Sequence, residues 1–182
     1  MTAGNSYLVL LRGINVGGKN KLPMAALRSF LEDLGFENVS TYIQSGNAIV
    51  QSDLGAASIA SKIEKELVSA FELDSDLVKV LVLGRSQLKA VVDDRPRGFG
   101  DEPDKYHSDA IFLMGLSPKE ALTAFSPLEG VDTLWPGKGV IYSQRLSAKR
   151  TKSRLNRMMA SPLYKSMTVR TWGTVTKLLD ML

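Results

Sequence analysis

The sequence predicts an α+β fold built from two tandem ferredoxin-like (βαββαβ) subdomains, each with a trailing helix. Three observations carry this expectation. Apolar segments of strand character alternate with segments of helical period; the order strand, helix, strand, strand, helix, strand, helix is spelled twice; and a turn-rich polar stretch, Asp93 to Asp104, separates the two spellings. The boundaries that follow are residues 1–96 for the first subdomain, 97–106 for a linker or surface loop, and 107–182 for the second, which ends in a basic region.

In the first half, Tyr7 to Leu11 is apolar at every position, as suits a strand that is central or covered on both faces. Pro23 to Leu34 places Met24, Leu27, Phe30, Leu31 and Leu34 at helical spacing, with Pro23 in the first turn and Gly35 as the C-terminal cap. Val39 to Ile43 and Asn47 to Val50 read as strands around a tight hairpin at Gln44-Ser45-Gly46-Asn47. Residues 56–72 carry Ile59, Ile63, Leu67 and Phe71 four apart on one helical stripe; Val78 to Leu83 is a strand and Ser86 to Val92 a short helix. The second half repeats the order: strand Asp109 to Met114, helix Pro118 to Phe125, strands Val131 to Trp135 and Val140 to Ser143 around a hairpin at Pro136-Gly137-Lys138-Gly139, a helix around Ser153 to Ala160, strand Met167 to Thr171, and a helix from Trp172 to the end.

Hydrophobic residues make up 44% of the 182 positions, enough for a packed core. No apolar run approaches the roughly 18 residues of a membrane span, and Met1 to Ser6 do not resemble a leader, so a cytoplasmic protein without a membrane partner is expected. The chain has no cysteine and one histidine, which excludes disulfides, thiolate zinc sites and thiol nucleophiles. Neither a metal nor a cofactor is expected. The formal net charge of +4 hides a polarity: residues 1–132 hold 13 basic and 18 acidic side chains, whereas 133–182 hold ten basic and one acidic.

Residues 12–21, Arg-Gly-Ile-Asn-Val-Gly-Gly-Lys-Asn-Lys, form a cationic glycine-rich turn between a strand and a helix. Glycines allow backbone N–H groups to converge, and a neighbouring cation completes an anion nest. Gly13, Gly18 and Lys19 match the spacing of a nucleotide-binding P-loop, but Asn20 stands where the motif needs a magnesium-binding hydroxyl, and the helix starts too late. The candidate ligand-binding residues here are Arg12, Asn15, Gly17, Gly18, Lys19 and Lys21. A structural turn, with Arg12 in an ordinary ion pair, explains the same residues.

Gln44, Ser45 and Asn47 bring two amides and a hydroxyl to one hairpin, where they can orient a ligand or satisfy the turn itself. Serine hydrolase chemistry is not supported, because nothing brings His107, the one available base, to Ser45. Asp101, Glu102, Asp104, His107 and Asp109 fit no metal-loop spacing and read as a solvated loop, with His107 a surface or hinge residue.

The second cationic group is Lys149, Arg150, Lys152, Ser153 and Arg154, placed at the expected helix start. Cations oppose the helix dipole there, a local conflict that an anion would resolve. A basic face neutralised by the acidic first half, within one chain or between two, accounts for it equally. The stacking aromatics of RNA-recognition domains are missing: the corresponding strands, Asn47 to Val50 and Gly139 to Tyr142, offer one aromatic between them.

Leu11 to Met24, Thr41 to Asn47 and Arg170 to Leu178 together resemble the bacterial family known as domain of unknown function 1697. The resemblance spans nearly the whole chain and departs at Gly173, where a larger polar residue is expected. It implies a cytosolic protein with two ferredoxin-like subdomains and no established activity. The expected function is therefore binding of a phosphate- or carboxylate-bearing ligand, nucleic acid being one version. The rivals are a small-molecule enzyme that uses the glycine loop as an oxyanion or phosphate cradle, and an interaction module that associates through its oppositely charged halves.

Overall fold

The computed structural model describes residues 4–182. The leader reading of Met1 to Ser6 falls partly on residues 1–3, outside the described residues. Two compact units divide the chain, Met1–Leu88 together with Leu178–Leu182, and Lys89–Lys177. The fold is mixed α+β, with one four-stranded antiparallel sheet in each unit.

The first unit runs β1 (Asn5–Arg12), α1 (Met24–Asp33), β2 (Glu37–Tyr42), β3 (Asn47–Ser52), α2 (Ala56–Phe71) and β4 (Lys79–Gly84), and its sheet order is β2-β3-β1-β4. The apolar run of β1 has the expected cause: the strand is central, and Leu8 to Leu11 are all buried. Ile59, Ile63 and Leu67 of α2 and Leu27 and Leu31 of α1 pack with Val9 and Leu11 in one core. Gly35 caps α1 as expected: at φ +87 its N–H reaches Glu32 O at 2.9 Å, and the next N–H reaches Leu31 O at 3.2 Å. Pro23 corrects the expectation, since it lies just outside the helix as its N-cap, with ψ 139, and its carbonyl accepts from Leu27 N–H.

The chain continues through α3 (Arg85–Asp93) into β5 (Tyr106–Leu113), α4 (Pro118–Leu122), β6 (Asp132–Gly137), β7 (Val140–Leu146), β8 (Met167–Thr171) and α5 (Trp172–Met181). The second sheet has the order β6-β7-β5-β8. Ser117 and Glu120 form a reciprocal capping box on α4, which stops at Leu122 instead of Phe125; two tighter turns then carry Phe125 into the core.

The helix expected at Ser153 to Ala160 is absent among the described residues. Three short 3-10 segments, Ser147–Lys152, Leu155–Ala160 and Pro162–Ser166, stand in its place, with Ser153 extended between the first two. A continuous α-helix would stack Arg150, Arg154 and Arg157 at three- and four-residue intervals, where like charges repel. Leu155 and Met158 still reach the core beside Ile111, Ile141 and Met167.

Residues 97–106, read as a polar linker or surface loop, hold a core residue. Phe99 is buried and packs edge-to-face on Trp135, Tyr142 and Trp172, with ring centroids 5.9, 5.3 and 5.1 Å away. No helix among the described residues is long and apolar enough to cross a membrane.

Candidate functional site

β1 ends at Arg12, and the chain must turn sharply before α1. Gly13 permits this at φ +82, because a Cβ there would stand 1.9 Å from Leu77 O. Arg12 Nη1 donates to that same carbonyl at 2.8 Å, which ties the end of β1 to the chain ahead of β4. Asn15, left-handed at φ 52, holds the loop from inside: Nδ2 donates to Leu22 O and Gln44 O, both at 2.9 Å, and Oδ1 accepts Leu22 N–H at 2.8 Å. Val16-Gly17-Gly18-Lys19 is a two-residue turn closed by Lys19 N–H to Val16 O at 2.9 Å, with both glycines at positive φ.

The loop and the β2–β3 hairpin are thereby neighbours. Leu11 N–H donates to Gly46 O at 2.8 Å, and a Cβ on Gly46 would meet Ile14 Cδ1 at 2.8 Å. Asn47 is buried and completes the turn, its Nδ2 donating to Tyr42 O at 2.9 Å and Ser45 Oγ at 3.0 Å. Gly17, Gly18, Lys19, Lys21, Gln44 and Ser45 are exposed; Arg12 and Asn15 are half-buried and support them. The expected convergence of backbone amides on a guest is corrected at three positions: the N–H groups of Asn15, Lys19 and Leu22 are bonded within the loop.

Val16 and Ile43 project from the two segments at 59% and 48% exposure. Ile43 also has φ 49, an uncommon backbone for a β-branched residue. Asn20, which sequence reasoning passed over, anchors the far side: Nδ2 donates to Gly13 O at 2.8 Å, and Oδ1 accepts Asp74 N–H at 3.0 Å.

Lys149, Arg150, Lys152, Ser153 and Arg154 lie in the second unit. Lys149, Arg150 and Lys152 are exposed, and the expected helix start that gathered them is corrected. Asp132 Oδ2 accepts Arg154 N–H at 2.8 Å and Leu128 N–H at 3.0 Å, and Ser153 also hydrogen-bonds to Asp132. The protein's own carboxylate therefore occupies the donors assigned to a guest at Ser153 and Arg154. Burial pushes the Asp132 carboxyl up, but these bonds and the charge of Arg145 outweigh it and hold the group below its ordinary value.

His107, read in the sequence as a surface or hinge residue beside a solvated loop, is corrected: it stands in β5 with Asp109 and belongs to a second polar feature. Asp132 lies opposite Arg145 across β6–β7, and Arg145 lies opposite His107 across β5–β7. His107 Nε2 is 3.0 Å from Asp109 Oδ1 on the same strand face. Asp109 is raised from its ordinary value by burial, against the lowering charges of His107 and Arg145. The available signal was the i, i+2 spacing of His107 and Asp109 within a strand.

A family model described as a protein of unknown function (DUF1697) matches residues 5–142. Among solved structures, a conserved bacterial protein, SP0830 from Streptococcus pneumoniae, is similar to this chain with 28% identity and a TM-score of 0.78, over 97% of this chain and 98% of that one. No curated protein matches.

Proposed function

The chain belongs to the DUF1697 family, whose function is unknown, and from that premise we propose that the joined glycine loop and hairpin of the first unit bind a phosphate- or carboxylate-bearing ligand. One observation carries the reading: Asn15 bridges Leu22 and Gln44, so Gly17, Gly18, Lys19 and Lys21 share a rim with Gln44 and Ser45. Exposed lysines supply charge, the glycine turn permits close approach, and Gln44 and Ser45 offer directional hydrogen bonds. The same adjacency suits an enzyme that cradles an oxyanion there, with Gln44 and Ser45 orienting the substrate; turnover of a bound species separates the two.

Nucleic acid is another version of the ligand, and the exposed Lys149, Arg150 and Lys152 of the second unit are a separate group of cations that offers phosphate contacts of its own. The strand orders β2-β3-β1-β4 and β6-β7-β5-β8 support a ferredoxin-like duplication in which 3-10 segments replace the second helix of the later copy. We place the protein in the cytoplasm on the sequence reading.

Thermal-shift screening against nucleotides, sugar phosphates and oligonucleotides tests the site, because a species that favours the native state raises its melting temperature. Lys19→Ala combined with Lys21→Ala is expected to remove the shift while leaving the unliganded melting temperature unchanged. Ligand shifts that survive this double substitution would sink the reading. For oligonucleotides, the log–log salt slope should be about −0.7 to −0.9 per phosphate neutralised.

A further inference from the structure

The second unit holds a cleft of about 530 Å³ whose walls include Arg95, Pro103, Tyr106, His107, Trp172 and Gly173. That volume falls within the range of roughly 300–1,000 Å³ common to small-molecule sites. Apart from His107, Arg95 and Asp101 are the only charged residues among the described lining, and their charges cancel. Counted outward through Asp109, Arg145 and Asp132, the sum is minus one with a neutral imidazole and zero with a protonated one, so no positive charge awaits an anion. The carboxylates behind the lining are already met, Asp109 by His107 and Asp132 by the N–H groups of Leu128 and Arg154, and a cation would face Arg95 in the wall. The cleft therefore suits an uncharged guest.

Its walls nevertheless carry one acceptor and one donor without a partner among the described residues. His107 keeps 39% of its side chain exposed, and its Nε2 is tied to Asp109 Oδ1 at 3.0 Å. Because that carboxylate accepts the Nε2 proton, Nδ1 of the neutral ring carries a lone pair, and no described residue donates to it. Trp172 Nε1–H donates to no described residue, and it lies beside Gly100, another lining residue, whose Cβ would stand 2.5 Å from it. The indole is fixed in place by edge-to-face contacts with Phe99 and Tyr142, centroids 5.1 and 6.2 Å away. The hydroxyls along the cleft are engaged: Ser108 accepts from Gln144 at 3.0 Å, Thr171 pairs with Thr174 at 2.9 Å, and Thr176 donates to Gly173 O at 3.1 Å.

We infer that this cleft binds an uncharged aromatic carboxamide, whose amide N–H donates to His107 Nδ1, whose carbonyl accepts from Trp172 Nε1–H, and whose ring lies against Pro103 and Tyr106. A carboxamide carries both complementary groups on one plane and adds no charge. Gly173 keeps the space open, since it lines the cleft and a Cβ there would meet nothing within 4 Å.

His107 is the only histidine, so its imidazole C–H signals stand alone in a proton NMR spectrum. In alkaline buffer, where the imidazole is neutral, the full chain is titrated with benzamide, methyl benzoate, benzoate and benzamidine. Benzamide is expected to shift the His107 signals saturably. Methyl benzoate keeps the carbonyl but has no N–H, and the other two add a negative or a positive charge; each is expected to bind at least about tenfold more weakly, as loss of one hydrogen bond or gain of one uncompensated charge requires. Gly173→Leu is expected to remove the benzamide response with no loss of melting temperature, because leucine favours the first turn of α5 more than glycine does. No saturable response to benzamide, an affinity for any of the other three within about tenfold of it, or an undiminished response in folded Gly173→Leu would each overturn the inference.

Discussion

Asn15 Nδ2 donates to the main-chain carbonyl of Gln44 at 2.9 Å, fastening the glycine loop to the β2–β3 hairpin across 29 positions of sequence. The same amide pairs with both main-chain groups of Leu22, so one side chain acts as a short stretch of strand. An asparagine suits this position because it tolerates a left-handed backbone and carries both donor and acceptor.

Asn15→Ala should therefore destabilise the chain by about 2–4 kcal/mol, combining the lost hydrogen bonds with left-handed strain. Asn15→Gly should cost less, since it removes the bonds but relieves the backbone. Urea denaturation of both variants ranks them, and near-wild-type stability for Asn15→Ala would show that the bridge is dispensable.

Two glycines of the same loop should respond differently. At Gly13 a new Cβ meets Leu77 O at 1.9 Å, so Gly13→Ala must displace the carbonyl that also holds Arg12. A loss above about 3 kcal/mol is expected there, by analogy with overpacked sites. Gly18 has nothing within 4 Å, and Gly18→Ala should cost only about 1–2 kcal/mol of backbone strain. Equal midpoints in denaturant would contradict the close approach of Leu77 O to Gly13.

Asp132→Asn should lower stability at neutral pH by about 1–3 kcal/mol, because a charged acceptor of Arg154 and Leu128 N–H becomes neutral. The sign of the pH effect follows from linkage. The folded carboxyl lies below the ordinary 3.8, so its contribution is complete above that value and disappears as acid carries the pH down through the folded value. Melting curves of the wild type and Asp132→Asn should therefore converge on acidification. A constant gap down to the acid transition would mean that the charge is not what stabilises the Arg154 turn.

Phe99→Ala should cost about 3–5 kcal/mol, since it empties the centre of a cluster shared with Trp135, Tyr142 and Trp172. Tryptophan fluorescence reports the change at Trp135 and Trp172, the only two tryptophans in the chain. Unaltered emission and an unaltered melting point would return residues 97–106 to the status of a surface loop.

The patterns that were legible are those whose cause lies within a few residues. Ile59, Ile63 and Leu67 announce α2 by spacing, Gly35 ends α1 by its left-handed backbone, and the Ser-Gly-Asn turn announces the first hairpin. Lys19, Lys21, Gln44 and Ser45 were legible as polar residues of these turns, and their exposure is a finding of the structure.

By itself the sequence determined the order of the strands and of every helix except the one expected at Ser153 to Ala160, together with the positions of the tight turns, because dihedral preference and hydrophobic period act between near neighbours. Only tertiary structure decided that Asn15 meets Gln44, that the Arg154 N–H meets Asp132 between two 3-10 segments, and that Arg145 stands opposite His107. A buried polar group takes whichever partner strand register and chain folding deliver to it, and those partners come from distant segments whose residue types do not name one another.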